Sequence, residues 1–324
     1  MAGIVDAIGI VSGLLGIVGF AQDNFVSEPK PGSTFNVAVA LDGPGGTTNA
    51  GGDLPDIRVW NDLGKFVGMT ADPGSVDDGN VGQAHVEHDN QGVYSLFSAN
   101  DDAICVAWVT STWSDEHGGN KYAVSGDYGW ACGGSWYESH MYTNSDKSYQ
   151  PKCFWIDADG DQPQTGFQVR WPSYSKDVYD PDNRDPQQFC NGIDFGLRTE
   201  KDPNTVNYYT SSKRKRNRRL RVLQPRERVS WAASQLVISD SSSHSARDLC
   251  GSETSMGPDF AHVREKLFCD MGSKILYPFC GADQAEDGCF DFESRRLTGS
   301  RNGTSRVASL TAGPYTRVRD WRGS

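Results

Sequence analysis

Eight cysteines, four on each side of a strongly basic stretch, constrain this chain more than any other feature. Cys105, Cys132, Cys153 and Cys190 precede the stretch, and Cys250, Cys269, Cys280 and Cys289 follow it, so closed pairing is available within each half. The stretch itself, Lys213 to Arg228, reads KRKRNRRLRVLQPRER, nine basic residues against one acid. Such a block repels itself and is expected as a solvated linker, across which disulfides would be entropically poor. No CxxC pair or HExxH motif occurs. The count therefore points to a disulfide framework in an oxidising compartment rather than to zinc, with reduced buried cysteines as the alternative.

What the first half folds into follows from period-two patterns. Between Ala103 and Tyr174 lie six of the nine tryptophans and three of the cysteines. Ala103 to Val109 is apolar at both parities, as in a strand buried on both faces. Phe167, Val169 and Trp171 alternate with Gln168 and Arg170, which places the two sets on opposite faces of another strand. Further strands are expected at Phe35 to Leu41 and Val93 to Phe97, with a strand pair, Ile57 to Trp60 and Phe66 to Met69, around an Asn61 to Gly64 turn. Short strands with turn signals between them predict a mainly β protein with an antiparallel β-sandwich core. The abundance of glycine, 36 residues, suits that architecture.

The second half has a different texture. Trp231 to Ile238 fits a short helix or a strand, and Lys266 to Met271 with Lys274 to Phe279 fits a hairpin. Its four cysteines would staple a module too small to hold itself by burial alone. The expected order is a leader at 1–28, a sandwich domain at 29–210, the linker at 211–229, a small Cys-rich module at 230–294, and a disordered tail at 295–324.

The leader carries an uncharged run from Ala7 to Ala21. Its length and the small residues Gly19 and Ala21 suit a cleaved signal peptide, although Asp6 stands where a positive region is usual. As a helix, residues 3–21 would reach roughly 28 Å, with Gly9, Ser12, Gly13 and Gly16 along one face. A signal peptide, a retained membrane-active or self-associating helix and a buried helix all remain open. The basic linker likewise reads as a plain solvated segment, as a proprotein processing site at Arg214, Arg216 and Arg219, or as an anion-contacting or nuclear signal.

The strings GIVGFAQDNF, SLFSANDDAICVAW, GDYGWACGGSWYES and CFWIDADGDQPQTGFQVRWP resemble a family of uncharacterised proteins from filamentous fungi. The likeness covers roughly residues 1–200 and, more loosely, the GPDF, FCDM and LYPFC strings of the second half. It implies a fungal origin and a shared architecture, and it carries over no catalytic residue.

Two constellations suggest chemistry. Asp157, Asp159 and Asp161 alternate on a turn and offer oxygen ligands for calcium, although Gly160 is misplaced for an EF-hand and no closing glutamate follows. The competing reading is a turn whose aspartates bond their own backbone. Trp130, Trp136, Tyr137 and Trp155 surround a glycine-rich loop and read either as a stacking platform for a ligand or as core filling. His85, Glu87, His88 and Asp89 carry metal-ligand chemistry, but the spacing on a strand would separate the imidazoles.

A net charge of −11 argues against a general nucleic-acid binder. The expectation is a secreted, or alternatively membrane-associated, non-enzymatic protein that meets a host, cell-wall or membrane surface, its partner a surface glycan, a membrane or a protein. The enzyme alternative is a secreted carbohydrate-active hydrolase using the acidic loop with the tryptophan cluster.

Overall fold

The computed structural model describes Ile17 and residues 30–40, 50–143, 149–175, 185–210, 230–281, 288–298 and 315–323. The leader apart from Ile17, the linker 211–229 with Arg214, Arg216 and Arg219, and Leu41 lie outside the described residues. The chain divides into two compact units, Met1–Gln224 and Pro225–Ser324.

The first unit is the expected antiparallel sandwich. Its strands are β1 (Ser33–Val39), β2 (Gly52–Asp53), β3 (Asp56–Trp60), β4 (Phe66–Thr70), β5 (Ser75–Val76), β6 (Val81–Val86), β7 (Tyr94–Ser98), β8 (Ile104–Trp113), β9 (Lys121–Ser125), β10 (Trp136–Tyr137), β11 (Cys153–Ile156), β12 (Gly166–Arg170) and β13 (Phe195–Arg198). One sheet runs β10-β11-β8-β1-β6, with β9 also on β8, and the other β13-β12-β7-β3-β4. Strand β8 lies inside the first sheet, paired with β1, β9 and β11, and for that reason it is apolar at both parities. Between the sheets, Phe35 meets Phe97 at 5.7 Å and Phe154 meets Phe167 at 4.9 Å, both edge to face. Each of these rings is fully buried, and burial of one contributes roughly 2–3 kcal/mol. On the opposite face of β1, Asn36 accepts from Gln83 and donates to Thr110, a buried amide-hydroxyl ladder that crosses β6, β1 and β8. It satisfies polar groups that would otherwise cost free energy to bury.

The disulfides follow the halves. Cys105–Cys153 ties β8 to β11, and Cys132–Cys190 joins the end of helix α1 (Asp127–Ala131) to a 3-10 turn at Pro186–Phe189. Cys250–Cys269 and Cys280–Cys289 both lie in the second unit. No free cysteine is present among the described residues.

In the second unit, helix α2 (Ser230–Ala233) leads straight into β14 (Gln235–Ser239), so both readings of that stretch were half right. Helix α3 (Ala246–Gly251) then crosses to β15 (Asp259–His262), which is parallel to β14. The hairpin of β16 (Leu267–Asp270) and β17 (Ile275–Pro278) extends the sheet as expected. A second hairpin, β18 (Cys289–Asp291) with β19 (Arg296–Thr298), stacks Phe290 on Phe268 at 4.1 Å. The expectation of disorder past Arg295 is corrected for the described residues. Besides β19, residues Arg317–Asp320 form β20, which pairs parallel with β14, and Trp321 is buried beside His244 and Phe260. The tail thus supplies a strand and a large apolar side chain that the small module needs.

Among the described residues no helix is long and apolar enough to cross a membrane.

Candidate functional site

The tryptophan cluster lies mostly inside the protein. Trp136 and Tyr137 form β10, and Trp155 lies on β11; all three are buried, because the hairpin-like pairing of β10 with β11 turns them into protein. Trp130 is half-buried, with its ring 5.9 Å from that of Trp136. The ammonium of Lys152 lies 5.1 Å from the Trp130 ring centre and 4.9 Å from that of Trp136. It faces the Glu138 carboxylate at 3.4 Å, and the Glu138 side chain is fully buried. The rings therefore flank a buried ion pair, where cation-π attraction partly replaces lost hydration. Asp127 is buried nearby. It accepts from Ser125 Oγ at 2.7 Å and from the Lys152 amide at 3.1 Å, while burial raises its carboxyl above the usual range.

The acidic loop folds on itself. Asp157 accepts from the amides of Asp159 at 3.4 Å, Gly160 at 3.1 Å and Gln162 at 2.9 Å, and Asp159 accepts from Asp161 at 3.1 Å. Gly160 has φ 107°, which favours glycine there. Asp157 is buried, and that burial raises its carboxyl; Asp159 and Asp161 are at the surface. Among the described residues no cluster of three or more His, Cys, Asp or Glu side chains is arranged to hold a metal.

His88 falls just past β6 and is buried, its Nε2 2.9 Å from Ser33 Oγ and its ring 5.5 Å from that of His117. Burial, with the neighbouring imidazoles of His117 and His85, lowers it to about 4.

The surface that stands out was not anticipated. Among the described residues, every prominently exposed large hydrophobic side chain except Ile275 belongs to the β3–β4 hairpin (Leu63, Phe66, Met69) or to Tyr208 and Tyr209. Leu63, at the hairpin turn, is 81% exposed. The turn is braced by hydrogen bonds: Asn61 Oδ1 accepts from the amides of Leu63 and Lys65, and the Asn61 amide donates to the Lys65 carbonyl. Tyr208 lies on this turn, its ring packed against Gly64.

Tyr208 gets there because residues 202–210 run as an extended strap over the outer face of the second sheet. Phe97, Phe167 and Val169 face the sandwich core, so their neighbours Tyr94, Leu96, Ser98, Gln168 and Arg170 face outward. The strap covers them. Ser98 Oγ donates to the Pro203 carbonyl at 2.6 Å, and the Gln168 carboxamide donates to the Asn207 carbonyl at 2.6 Å while accepting from its amide at 2.8 Å. The Tyr209 amide meets Tyr94 Oη at 3.3 Å. Tyr209 Oη donates to Asp194 at 2.7 Å, and burial together with that carboxylate pushes the phenol up to about 12. Arg170 lies against both rings, 5.9 Å from the Tyr94 centre and 5.4 Å from that of Tyr209. Across the strands, Tyr94 pairs with Trp60 and Trp60 with Phe66, whose rings are 5.5 Å apart. Strap and hairpin thus form one continuous aromatic and aliphatic surface.

The sequence signal for it was slight: a leucine at a turn, and a Tyr-Tyr pair in a segment rich in charge and proline. Compared with known proteins, the chain matches no family model and no curated sequence, and the functional reading rests on this geometry.

Proposed function

We propose that this is a secreted, non-enzymatic interaction protein that binds a protein partner through Leu63, Phe66, Met69, Tyr208 and Tyr209. The observation that carries the reading is the gathering of these side chains in one place on a rigid scaffold. Exposed apolar residues on a soluble monomer are ordinarily scattered, and contiguous ones mark contact surfaces. Aromatic residues and methionine are enriched at protein interfaces, and the low entropy of a fixed turn and a tethered strap lowers the cost of binding. The four disulfides suit an extracellular address.

We favour this reading over the hydrolase alternative on two grounds. Three of its four aromatic residues are buried, and Asp157 is held by its own loop.

The test is retention of labelled full-length protein on intact cell surfaces, on the same surfaces after protease stripping, on isolated wall glycan and on lipid vesicles. Retention that disappears on stripping, and with the Leu63→Asp/Phe66→Asp variant, is expected. Undiminished retention of a folded variant, or reducing ends released from the glycan, overturns the reading.

A further inference from the structure

We propose that the outer face of β13-β12-β7-β3 is a binding groove for an extended polypeptide, recognised through its main chain, and that Pro203 to Tyr209 is the occupant supplied by the chain itself. This goes beyond the surface reading: it concerns the floor under the strap, and a peptide that displaced the strap would take Tyr208 and Tyr209 out of the patch while leaving Leu63, Phe66 and Met69 in it.

The contacts have a regular spacing. Ser98 and Arg58 Nη1 bond the carbonyl of Pro203, at 2.6 and 3.3 Å. Arg198 Nη2 lies 3.5 Å from the carbonyl of Thr205. Gln168 takes both main-chain groups of Asn207, and Tyr94 takes the amide of Tyr209. Every second residue of the strap is therefore held by its backbone, from side chains on four different strands, as an extended chain of period two requires. The Gln168 carboxamide imitates the peptide group of a neighbouring strand, donating to one carbonyl and accepting from the same residue's amide. It is completely buried with the strap in place, and its nitrogen also donates to the Ile193 carbonyl at 2.9 Å, which fixes the carboxamide in the orientation that meets a main chain. Arg198 braces it, donating to Gln168 Oε1 at 2.5 Å.

Backbone recognition is largely indifferent to side chains, so a second extended segment can satisfy the same bonds. Two features refine the ligand class. Pro203 is buried, which favours a compact residue at the first position, and Asp194 receives a phenol at the last. At the entry of the strap Asp202 has φ 47°, in the left-handed region that aspartate tolerates.

The test uses the full-length chain and a fluorescently labelled synthetic peptide of residues 202–210, followed by anisotropy. Asn207→Pro removes the amide that Gln168 accepts from and loosens the resident strap; Tyr209→Phe loosens it independently by removing the bond to Asp194. Both are expected to bind the peptide about tenfold more tightly than the unaltered chain, one lost hydrogen bond in affinity. Adding Gln168→Ala, or methylating the peptide nitrogen that corresponds to Asn207, is expected to abolish the gain. Absence of peptide binding by both loosened variants while their unfolding stays cooperative overturns the proposal. Equal binding of the methylated peptide also overturns it, since the contact would then not be read through the main chain.

Discussion

The ring of Tyr208 lies so close to Gly64 that a β-carbon at residue 64 would stand 2.6 Å from it. Gly64 also sits at φ 72°, in the left-handed region. Alanine there is expected to destabilise the first unit by about 1–2 kcal/mol and to push the tyrosine off the turn. Urea unfolding measures the first effect, and near-ultraviolet circular dichroism the second. An unchanged aromatic spectrum would separate the strap from the hairpin and remove the continuity of the proposed surface.

The Lys152 and Glu138 pair leads to a different kind of outcome. Lys152→Met leaves a buried carboxylate without its ammonium and is expected to cost about 3–5 kcal/mol. Lys152→Met with Glu138→Leu removes both charges and is expected to cost much less. Denaturation of the single and double variants decides it; a double variant as unstable as the sum would show that the two side chains act separately.

Acid should weaken the fold through His88. Its ordinary value of 6.5 falls to about 4 in the folded protein, so the unfolded chain takes up this proton first as pH drops. Above pH 6.5 both states are neutral and the group contributes no pH dependence. Between 6.5 and 4 stability falls, by roughly 2 kcal/mol after allowance for solvent screening, and below 4 the penalty is complete. His117, His85 and Asp89 share the electrostatic environment, so the check is the difference between the parent and His88→Gln in stability across that window. Parallel curves would remove His88 as the cause.

Disulfide removal should follow loop length. Cys105 and Cys153 are 48 residues apart, and replacing both by serine is expected to cost about 4 kcal/mol, against about 2–3 for Cys280 and Cys289, separated by 9. Cys280 is exposed whereas Cys105 and Cys153 are fully buried, so limited reductant followed by alkylation and peptide mapping should open Cys280–Cys289 before Cys105–Cys153.

Calcium is expected to leave the melting temperature unchanged, because the Asp157 oxygens already accept three loop amides. Melts with calcium and with chelator test it. A rise that Asp159→Ala abolishes would make the loop a metal site.

The sequence alone determined the elements whose side chains carry a local period. Strands β3, β7, β8 and β12 were legible because one residue in two, or every residue, must be apolar to face a core, and the β3–β4 and β16–β17 hairpins because turn residues separate two short runs rich in strand formers. The cysteine halves were legible because a charged linker discourages pairing across it. Only tertiary structure decided the rest. Whether Trp136, Tyr137 and Trp155 were a platform or core depended on which face β11 covers, and composition is the same either way. β20, with its Arg317, Val318, Arg319 and Asp320, resembles a solvated tail until it finds β14 more than 80 residues away in sequence, as in the pairing of Leu236 with Val318. The strap was hidden for the most general reason. What holds it is largely its own backbone, bonded to side chains as distant in sequence as Arg58, 145 residues from Pro203, and backbone amides and carbonyls leave almost no mark on a sequence.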